Sequence, residues 1–465
     1  MSPSKRIGIA QLASLLLFGS TLAIQVDVSS IQSITDASKL VAASVVNRYR
    51  NSSTIPGLFD QPYYFWEGGL AWDSLVYYWA QTGDATYNEL VAEAMRFQLG
   101  DNLDYMPPNQ TKSEGNDDQS YWALAAMTAA EYGFPLAPVD GQAISWLQIA
   151  ENVFNEQASR WDNGTCGGGL RWQIFSFNNG YNYKNSLSNG NFFQLAARLA
   201  HFTGNQTYSD WAALTLKWSV DVGLAFSPDE NNSTLRYVTV YDGTDISTGC
   251  TQFNRIQWMA ALGTYLAGSA FGFNTSSTRL YASGSGFVAT ANTTFLDSTS
   301  TIYEPACAPQ DNCNTDQLAF KAVLARALGQ TAYFAPFSPS LGNATAITSL
   351  IQHSAQGAAS QCRMDNETAW CGTSWGSGIY DGNEGLGQDL GALNILLAAL
   401  PQKDIGTGET ASNATSSGSA NGTATGSSGG ASGTATPLPA NDASGVQASG
   451  FALLAALSFL VAFGL

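Results

Sequence analysis

Histidine is nearly absent from this 465-residue chain, which carries only His201 and His353. Neither has a second candidate ligand at helical spacing, and no two cysteines stand as Cys-x-x-Cys, so the sequence speaks against a zinc centre. The same scarcity removes Ser/His/Asp and Cys/His nucleophilic machinery. Basic residues are few as well. Lys and Arg number 19 against 36 Asp and Glu, a formal charge of −17, which leaves no basic stripe to neutralise the phosphates of a nucleic acid. Charged residues make up 12%, no more than the aromatics at 12%. Much of the polarity therefore rests on Asn, Gln, Ser and Thr, a balance that suits a neutral substrate met outside the cell.

What is present begins at the ends. Lys5 and Arg6 precede an apolar run from Ile7 to Leu22, with Thr21 and Ala23 at small-residue cleavage positions, the form of a secretory signal peptide over residues 1–23. Phe451 to Leu465 is apolar and uncharged, yet shorter than the roughly 20 residues that cross a bilayer. With small residues and a polar spacer before it, the 446–465 tail reads as a signal for a glycosylphosphatidylinositol (GPI) anchor. Asn441 has the best spacing for attachment, with Ser444 and Gly445 as alternatives. Residues 406–445 are nearly all Gly, Ser, Ala, Thr and Asn, a flexible stalk suited to O-glycosylation. Twelve Asn-x-Ser/Thr tripeptides, among them Asn51, Asn109, Asn163, Asn205, Asn292, Asn343 and Asn366, mark candidate surface loops of an exported chain. The expectation is a secreted protein, membrane-associated through a GPI anchor.

In that setting Cys166, Cys250, Cys307, Cys313, Cys362 and Cys371 are expected to form disulfides. Local spacing favours Cys307 with Cys313 and Cys362 with Cys371, leaving Cys166 for Cys250, one of fifteen pairings that six cysteines allow. Over residues 24–405 helical periodicity recurs, predicting helices near 31–50, 68–82, 85–99, 117–132, 140–159, 189–203, 206–222, 254–271, 278–293, 314–330, 344–360 and 386–399. Twelve helices in antiparallel succession make a toroid of six hairpins. Thr82-Gly83-Asp84 and Thr203-Gly204-Asn205 recur as helix stops, each followed three residues on by an aromatic, Tyr87 and Tyr208, which supports hairpin duplication. Alternation near Leu235–Tyr241 and Leu170–Phe177 predicts small β-hairpins. The long loop Gly164–Leu187 holds Trp172, Phe175, Phe177, Tyr181 and Tyr183, in the kind of segment where binding residues concentrate.

Asn116-Asp117-Asp118-Gln119 opens a helix, with Asn116 expected as N-cap and Gln119 completing a capping box. Acidic residues in a first turn also simply complement the helix dipole, so spacing alone assigns them no chemistry. The stretch before them, Pro107 to Gly115, is polar and punctuated by Gly and Pro, which points the helix start at a loop-lined surface. Adjacent helical positions point about a quarter-turn apart, and their oxygens can lie within the roughly 5 to 5.5 Å that separates nucleophile and acid in a retaining glycosidase. Exposed amides at the helix start favour an ionised nucleophile. The partner must be held protonated by apolar burial and its neighbour's charge, for which Tyr121 and Trp122 are the candidate wall.

At these residues the chain resembles glycoside hydrolase family 76, and within it the fungal cell-wall branch of defective-in-filamentous-growth and defective-cell-wall proteins. The likeness covers about Ile31 to Leu400. It is carried by Tyr64-Phe65-Trp66-Glu67-Gly68-Gly69, Gly115-Asn116-Asp117-Asp118-Gln119, Cys166-Gly167-Gly168-Gly169-Leu170-Arg171-Trp172-Gln173, Tyr183-Lys184-Asn185 with Ser188-Asn189-Gly190, and Val240-Tyr241-Asp242-Gly243. The resemblance implies an all-α (α/α)6 barrel and cleavage or transfer at α-1,6-mannosyl linkages with retention, needing no metal or organic cofactor. It implies Asp117 as nucleophile and Asp118 as acid/base. It also implies action on the mannose core of GPI anchors, with cell-wall glucan as acceptor and the cell wall as the place of action.

Other candidate sugar contacts follow from residue type. Trp66 and Trp72 can stack on pyranose faces, and Tyr121 lies one turn into the same helix as the aspartates. Asn185, Asn189 and Asp242 have short polar side chains in Gly-rich loops, suited to hydroxyl recognition as well as to turn capping. Asp316, in Asn314-Thr315-Asp316-Gln317, reads as a cap residue. Asp381-Gly382-Asn383-Glu384 hints at calcium without the spaced ligands of a loop site. After Ile256-Gln257-Trp258 the family usually carries Ser/Thr-Tyr-Asn, whereas this chain has Met259-Ala260-Ala261, so sugar contacts at that stretch are expected to be lost.

Overall fold

Left-handed glycines end two of the helices where the Thr-Gly turns predicted it, Gly83 at φ +79° and Gly204 at φ +70°, conformations that cost glycine little. The computed structural model describes residues 23–406 except 111–112, 138–140, 142, 227–237, 273–277 and 336–343. The expected signal peptide except Ala23, and the stalk beyond Gly406 with its tail, lie outside those residues.

Twelve helices are described: α1 (Ile31–Ser52), α2 (Phe65–Thr82), α3 (Asn88–Phe97), α4 (Asn116–Tyr132), α5 (Trp146–Ser159), α6 (Ser186–Thr203), α7 (Gln206–Asp221), α8 (Met259–Gly272), α9 (Thr278–Thr294), α10 (Thr315–Phe334), α11 (Ala344–Ser360) and α12 (Leu386–Ala398). The even-numbered six close a ring, α2 on α4, α4 on α6, α6 on α8, α8 on α10, α10 on α12 and α12 on α2, and the odd-numbered helices pack outside it. This is the (α/α)6 barrel. Its inner helices are buried on almost every side, all of α8 and all of α12, which is why they read as nearly continuous apolar runs. Glycine lets them approach: a Cβ at Gly69 would lie 2.9 Å from the Trp122 nitrogen.

One end of the ring is closed by a buried polar network. Arg198 on α6 makes a two-pronged bond to Glu131 on α4, 3.0 and 2.7 Å, and donates to Thr128 at 2.8 Å. Arg326 on α10 stands 3.6 Å from Asp73 on α2 and donates to Thr128 at 3.2 Å. Removing one partner of such a buried pair costs about 3 to 5 kcal/mol, because the other charge is stranded.

Several starts differ from the periodicity. α2 begins at Phe65 rather than 68, since the Glu67 carboxylate accepts the Tyr64 N–H at 2.6 Å and closes the first turn. α5 begins at Trp146, not 140, where Ser145 caps Gln148. α6 begins at Ser186, where Asn185 accepts the Ser188 N–H. α8 begins at Met259, not 254, because Phe253–Asn254 pairs as a strand.

The strands are β1 (Tyr183–Asn185), β2 (Ala225–Phe226), β3 (Thr239–Val240), β4 (Gly243–Asp245), β5 (Phe253–Asn254), β6 (Cys362–Asp365) and β7 (Thr368–Cys371). All pair antiparallel, as β1-β4-β5, β2-β3 and β6-β7. Within the expected hairpin near Leu235–Tyr241, residues 235–237 lie outside the described residues, and Thr239–Val240 pairs with β2. Leu170–Phe177 is not a strand: Trp172 spends its N–H on Tyr183 and its carbonyl on Asn116, two different partners, so no ladder grows. The disulfides are Cys166–Cys250, Cys307–Cys313 and Cys362–Cys371.

Candidate active site

Five of the inner helices bring their N-terminal ends to a cavity of about 720 Å³: α2 through Phe65 and Trp66, α4 through Asp117, Asp118 and Tyr121, α6 through Leu187, α8 through Ala260 and Ala261, α10 through Asp316 and Phe320. Free backbone amides and the helix dipoles make this end electropositive, so it can hold acids. Asp60, Glu114, Asp117, Asp118, Asp242 and Asp316 all line the cavity, with no Lys or Arg among the described lining residues.

The aspartate pair sits one cap position from expectation. Gly115, not Asn116, is the N-cap, and Asp118, not Gln119, closes the first turn by accepting the Gly115 N–H at 2.7 Å. Asn116 is drawn into the helix because its N–H bonds the Trp172 carbonyl at 2.8 Å and its side chain spans Arg171 and Arg160. Gln119 instead reaches the Asp104 carbonyl at 2.8 Å.

Gly115 has room for nothing larger. A Cβ there would stand 2.5 Å from Asp117 Oδ1, 2.9 Å from Asp118 Oδ2 and 3.1 Å from the Trp172 carbonyl oxygen. Both carboxylates thus converge on one point, and those two oxygens cannot lie farther apart than the roughly 5.5 Å of a retaining pair, well short of the roughly 6.5 to 9.5 Å of an inverting one.

The environments separate their protonation. Burial pushes the Asp117 carboxyl up to about 6, against the pull of the Asn185 amide, 2.8 Å from Oδ2, and the Asp118 N–H, 3.1 Å from Oδ1. Asp118 is driven well above the ordinary carboxylate range, first by burial and then by the charge of Asp117, and the Gly115 N–H offsets only part of this. Asp117 is therefore the first of the two to ionise. Glu114, behind them, is held neutral by burial and by Asp118, and neither of its oxygens has a hydrogen-bond partner among the described residues.

Because Asn185 bonds the ionised form of Asp117, Asn185→Ala is expected to raise the Asp117 pKa. A hydrogen bond to a charged group contributes about 1.5 to 3 kcal/mol, so the acidic limb of a kcat/KM–pH profile moves upward by roughly one to two units; an unmoved limb would count against this role for Asn185.

Most of the sequence candidates surround this point. Trp66 packs on Tyr121, ring centroids 4.7 Å apart, and its Nε1 donates to Asp316 Oδ1 at 2.8 Å. Asp242 accepts from Tyr183 at 2.5 Å, Trp258 at 2.8 Å and Asn254 at 3.0 Å, so it is held rigidly at the wall. Two candidates are corrected. Trp72 is 0% exposed, donates to the Gly57 carbonyl and packs edge-on against Tyr49; on the second turn of α2 it faces the outer layer and cannot reach a sugar. Asn189 is also 0% exposed and bonds the Leu170 N–H, the Leu170 carbonyl and the Asn185 carbonyl. It braces the loop that carries Trp172.

Asp316 is the cavity residue that sequence reasoning passed over. Asn314 does cap α10, but Asp316 occupies the same second helical position there that Asp117 occupies in α4. The recurrence of Asn-x-Asp-Gln at 116–119 and 314–317, a motif in which Asp316 stands where Asp118 does, was the available signal. Met259 is buried, with its N–H on Glu304, while Ala260 and Ala261 present methyl groups to the cavity. Asp381 accepts the N–H groups of Thr373, Ser374 and Asn383, a loop brace, and no cluster of three or more candidate metal ligands occurs among the described residues. His201 packs between Phe271 and Phe334.

The model of Glycosyl hydrolase family 76 matches residues 33–410. The chain is 42% identical over 384 residues to mannan endo-1,6-alpha-mannosidase DCW1 of Eremothecium gossypii, covering 82% of each. It is 40% identical over 403 residues to the DCW1 protein of Saccharomyces cerevisiae, covering 86% of each. Among solved structures it is similar to Dfg5 from Chaetomium thermophilum in complex with glucosamine, with a TM-score of 0.74 and 34% identity over 83% of this chain and 94% of that one. An inactive variant of the α-1,6-mannanase of Salegentibacter sp. HEL1_6, in complex with α-1,6-mannotriose, shares the fold at a TM-score of 0.62 and 17% identity, covering 79% of this chain and 98% of that one.

Proposed function

The chain belongs to glycosyl hydrolase family 76 and is a glycoside hydrolase, and from that premise we propose that it cleaves α-1,6-mannosyl linkages with retention and transfers the product to a glycan acceptor. The observation that carries this is the convergence of Asp117 and Asp118 on Gly115, close enough for double displacement and unequal in acidity. Asp117, ionised first, attacks the anomeric carbon and forms a covalent mannosyl ester. Asp118, still protonated, gives its proton to the departing oxygen. It then takes a proton from the incoming hydroxyl, whose oxygen displaces Asp117, so two inversions leave the α-configuration.

Trp66, Tyr121, Asn185, Asp242 and Asp316 hold the sugar, through ring edges and hydroxyl bonds. The acidic lining, with no Lys or Arg among its described residues, suits a neutral or amine-bearing glycan, which supports the mannose core of a GPI anchor as donor and wall glucan as acceptor. The relatives' names support the mannosyl linkage. The signal-like N-terminus, the stalk, the anchor-like tail and three disulfides support secretion and tethering at the membrane and wall.

The test is product analysis of α-1,6-mannotriose by proton NMR, with and without laminaritriose as acceptor. The first-formed reducing end is expected as the α-anomer, and a longer mixed oligosaccharide is expected with acceptor. A β-anomer defeats retention; hydrolysis without a mixed product leaves a retaining hydrolase only, and binding without turnover leaves a mannan-binding wall protein.

A further inference from the structure

We infer that Trp172 is the stacking platform for a neutral hexopyranose on the leaving-group and acceptor side of the cleavage point, a placement that rests on the assignment of Asp118 as acid/base. Trp172 is 37% exposed and forms part of the cavity wall. Its backbone is bonded on both sides: the N–H donates to the Tyr183 carbonyl at 2.6 Å, and the carbonyl accepts the Asn116 N–H at 2.8 Å. The platform is thus fixed directly to the residue that precedes Asp117.

The side follows from the bonds around the pair. Asp118 folds back onto Gly115, and Gly115 pairs with Gln173, the neighbour of Trp172. Asp117 is tied instead to Asn185, at the end of β1. The Trp172 strip therefore flanks the acid, where the leaving sugar departs and an acceptor enters.

The loop is built to hold this ring still. Gly180, at φ +92°, backs the indole so closely that a Cβ would stand 2.3 Å from Trp172 Cε3. The Cys166–Cys250 disulfide pins the loop to the β4–β5 connection. Lys184, fully buried, donates to the carbonyls of Thr165 at 2.8 Å and Gly168 at 2.5 Å. An aromatic plane fixed in advance binds the C–H face of a pyranose with little ordering cost. Phe175 and Phe177 stack at 5.4 Å later in the same loop, Phe177 being 70% exposed, and they add apolar surface for a longer chain.

The test compares Trp172→Ala, Trp172→Phe and Gly180→Ala in the full chain. kcat/KM is measured on α-1,6-mannotetraose, whose leaving group is a pyranose, and on α-1,6-mannobiosyl fluoride, whose leaving group has no ring. Trp172→Ala is expected to lower the ratio of the two by about tenfold, and Trp172→Phe by less. Gly180→Ala, which keeps the indole but displaces it, is expected to lower it too. Equal losses on both substrates would make the indole a structural prop and overturn the inference. Calorimetric titration of Asp117→Asn with α-1,6-mannotriose and with laminaritriose is the second readout. The sugar whose affinity drops when Trp172→Ala is added is the platform's occupant, and if neither drops the inference is overturned. Should no turnover be seen on either substrate, the catalytic reading fails, and the titration alone decides the role of Trp172.

Discussion

Asp117→Asn is expected to lower kcat/KM for α-1,6-mannooligosaccharides by about 10⁴-fold or more, roughly 5.4 kcal/mol of barrier. An amide cannot form the covalent ester, and the double displacement has no second route to it. The replacement can keep its amide oxygen on Asn185 Nδ2, which is held in place because the Asn185 oxygen accepts the Ser188 N–H. The loss is therefore expected in activity and not in fold.

The sign of the stability effect separates the two. Burial raises the Asp117 pKa in the folded protein to about 6 from an ordinary 3.8, so the folded state favours the protonated acid, and stability falls as pH rises from about 4 to above 6. The amide has no charge to bury. Asp117→Asn is expected to melt at or above the native temperature at pH 7, with the difference narrowing toward pH 4; a variant that is both inactive and markedly less stable at pH 7 would return Asp117 to a structural role. In Asp117→Ala, azide is expected to enter the vacated space and yield a β-mannosyl azide from an activated α-donor, a single inversion.

The barrel was legible because its code is local. The apolar runs of α2, α4, α6, α8, α10 and α12 and the glycines after α2 and α6 sit in the sequence where they sit in space. The helix starts were less legible, because they are decided by single side chains that reach back or across. Glu67 adds three residues to α2. Asn116 enters α4 only because Trp172, 56 positions later, takes its N–H. Trp66 and Trp72 are indistinguishable by composition, yet their positions on α2 turn one toward the cavity and the other toward α1. Asp316 reads as a cap because a cap is what its own helix needs from that segment. Its other role follows only from Trp66, 250 residues away. Of the three small sheets only β3, Thr239–Val240, falls inside an expected hairpin, because strands of two to four residues leave little periodicity to detect.

Asp118→Ala is expected to lower kcat/KM on α-1,6-mannotriose by about 10²- to 10⁴-fold, the usual range for a general acid, and to do so unevenly. A mannosyl fluoride needs no proton on its leaving group, so its first step is expected to persist and the ester on Asp117 to accumulate, since no base remains to activate water. Azide needs no base. It is expected to release the ester as an α-mannosyl azide with net retention, opposite in configuration to the azide formed by Asp117→Ala. The alkaline limb of the pH–rate profile, which belongs to Asp118 because burial and Asp117 hold its proton on, is expected to vanish. Asp118→Asn serves as the control for the helix start: its amide oxygen can still accept the Gly115 N–H, a bond whose loss costs about 1 kcal/mol. If Asn and Ala behave alike in rate, the proton was the function. If Asn restores most of the activity, Asp118 serves α4 as a cap, and the acid must be sought in Glu114, the neutral carboxyl behind it.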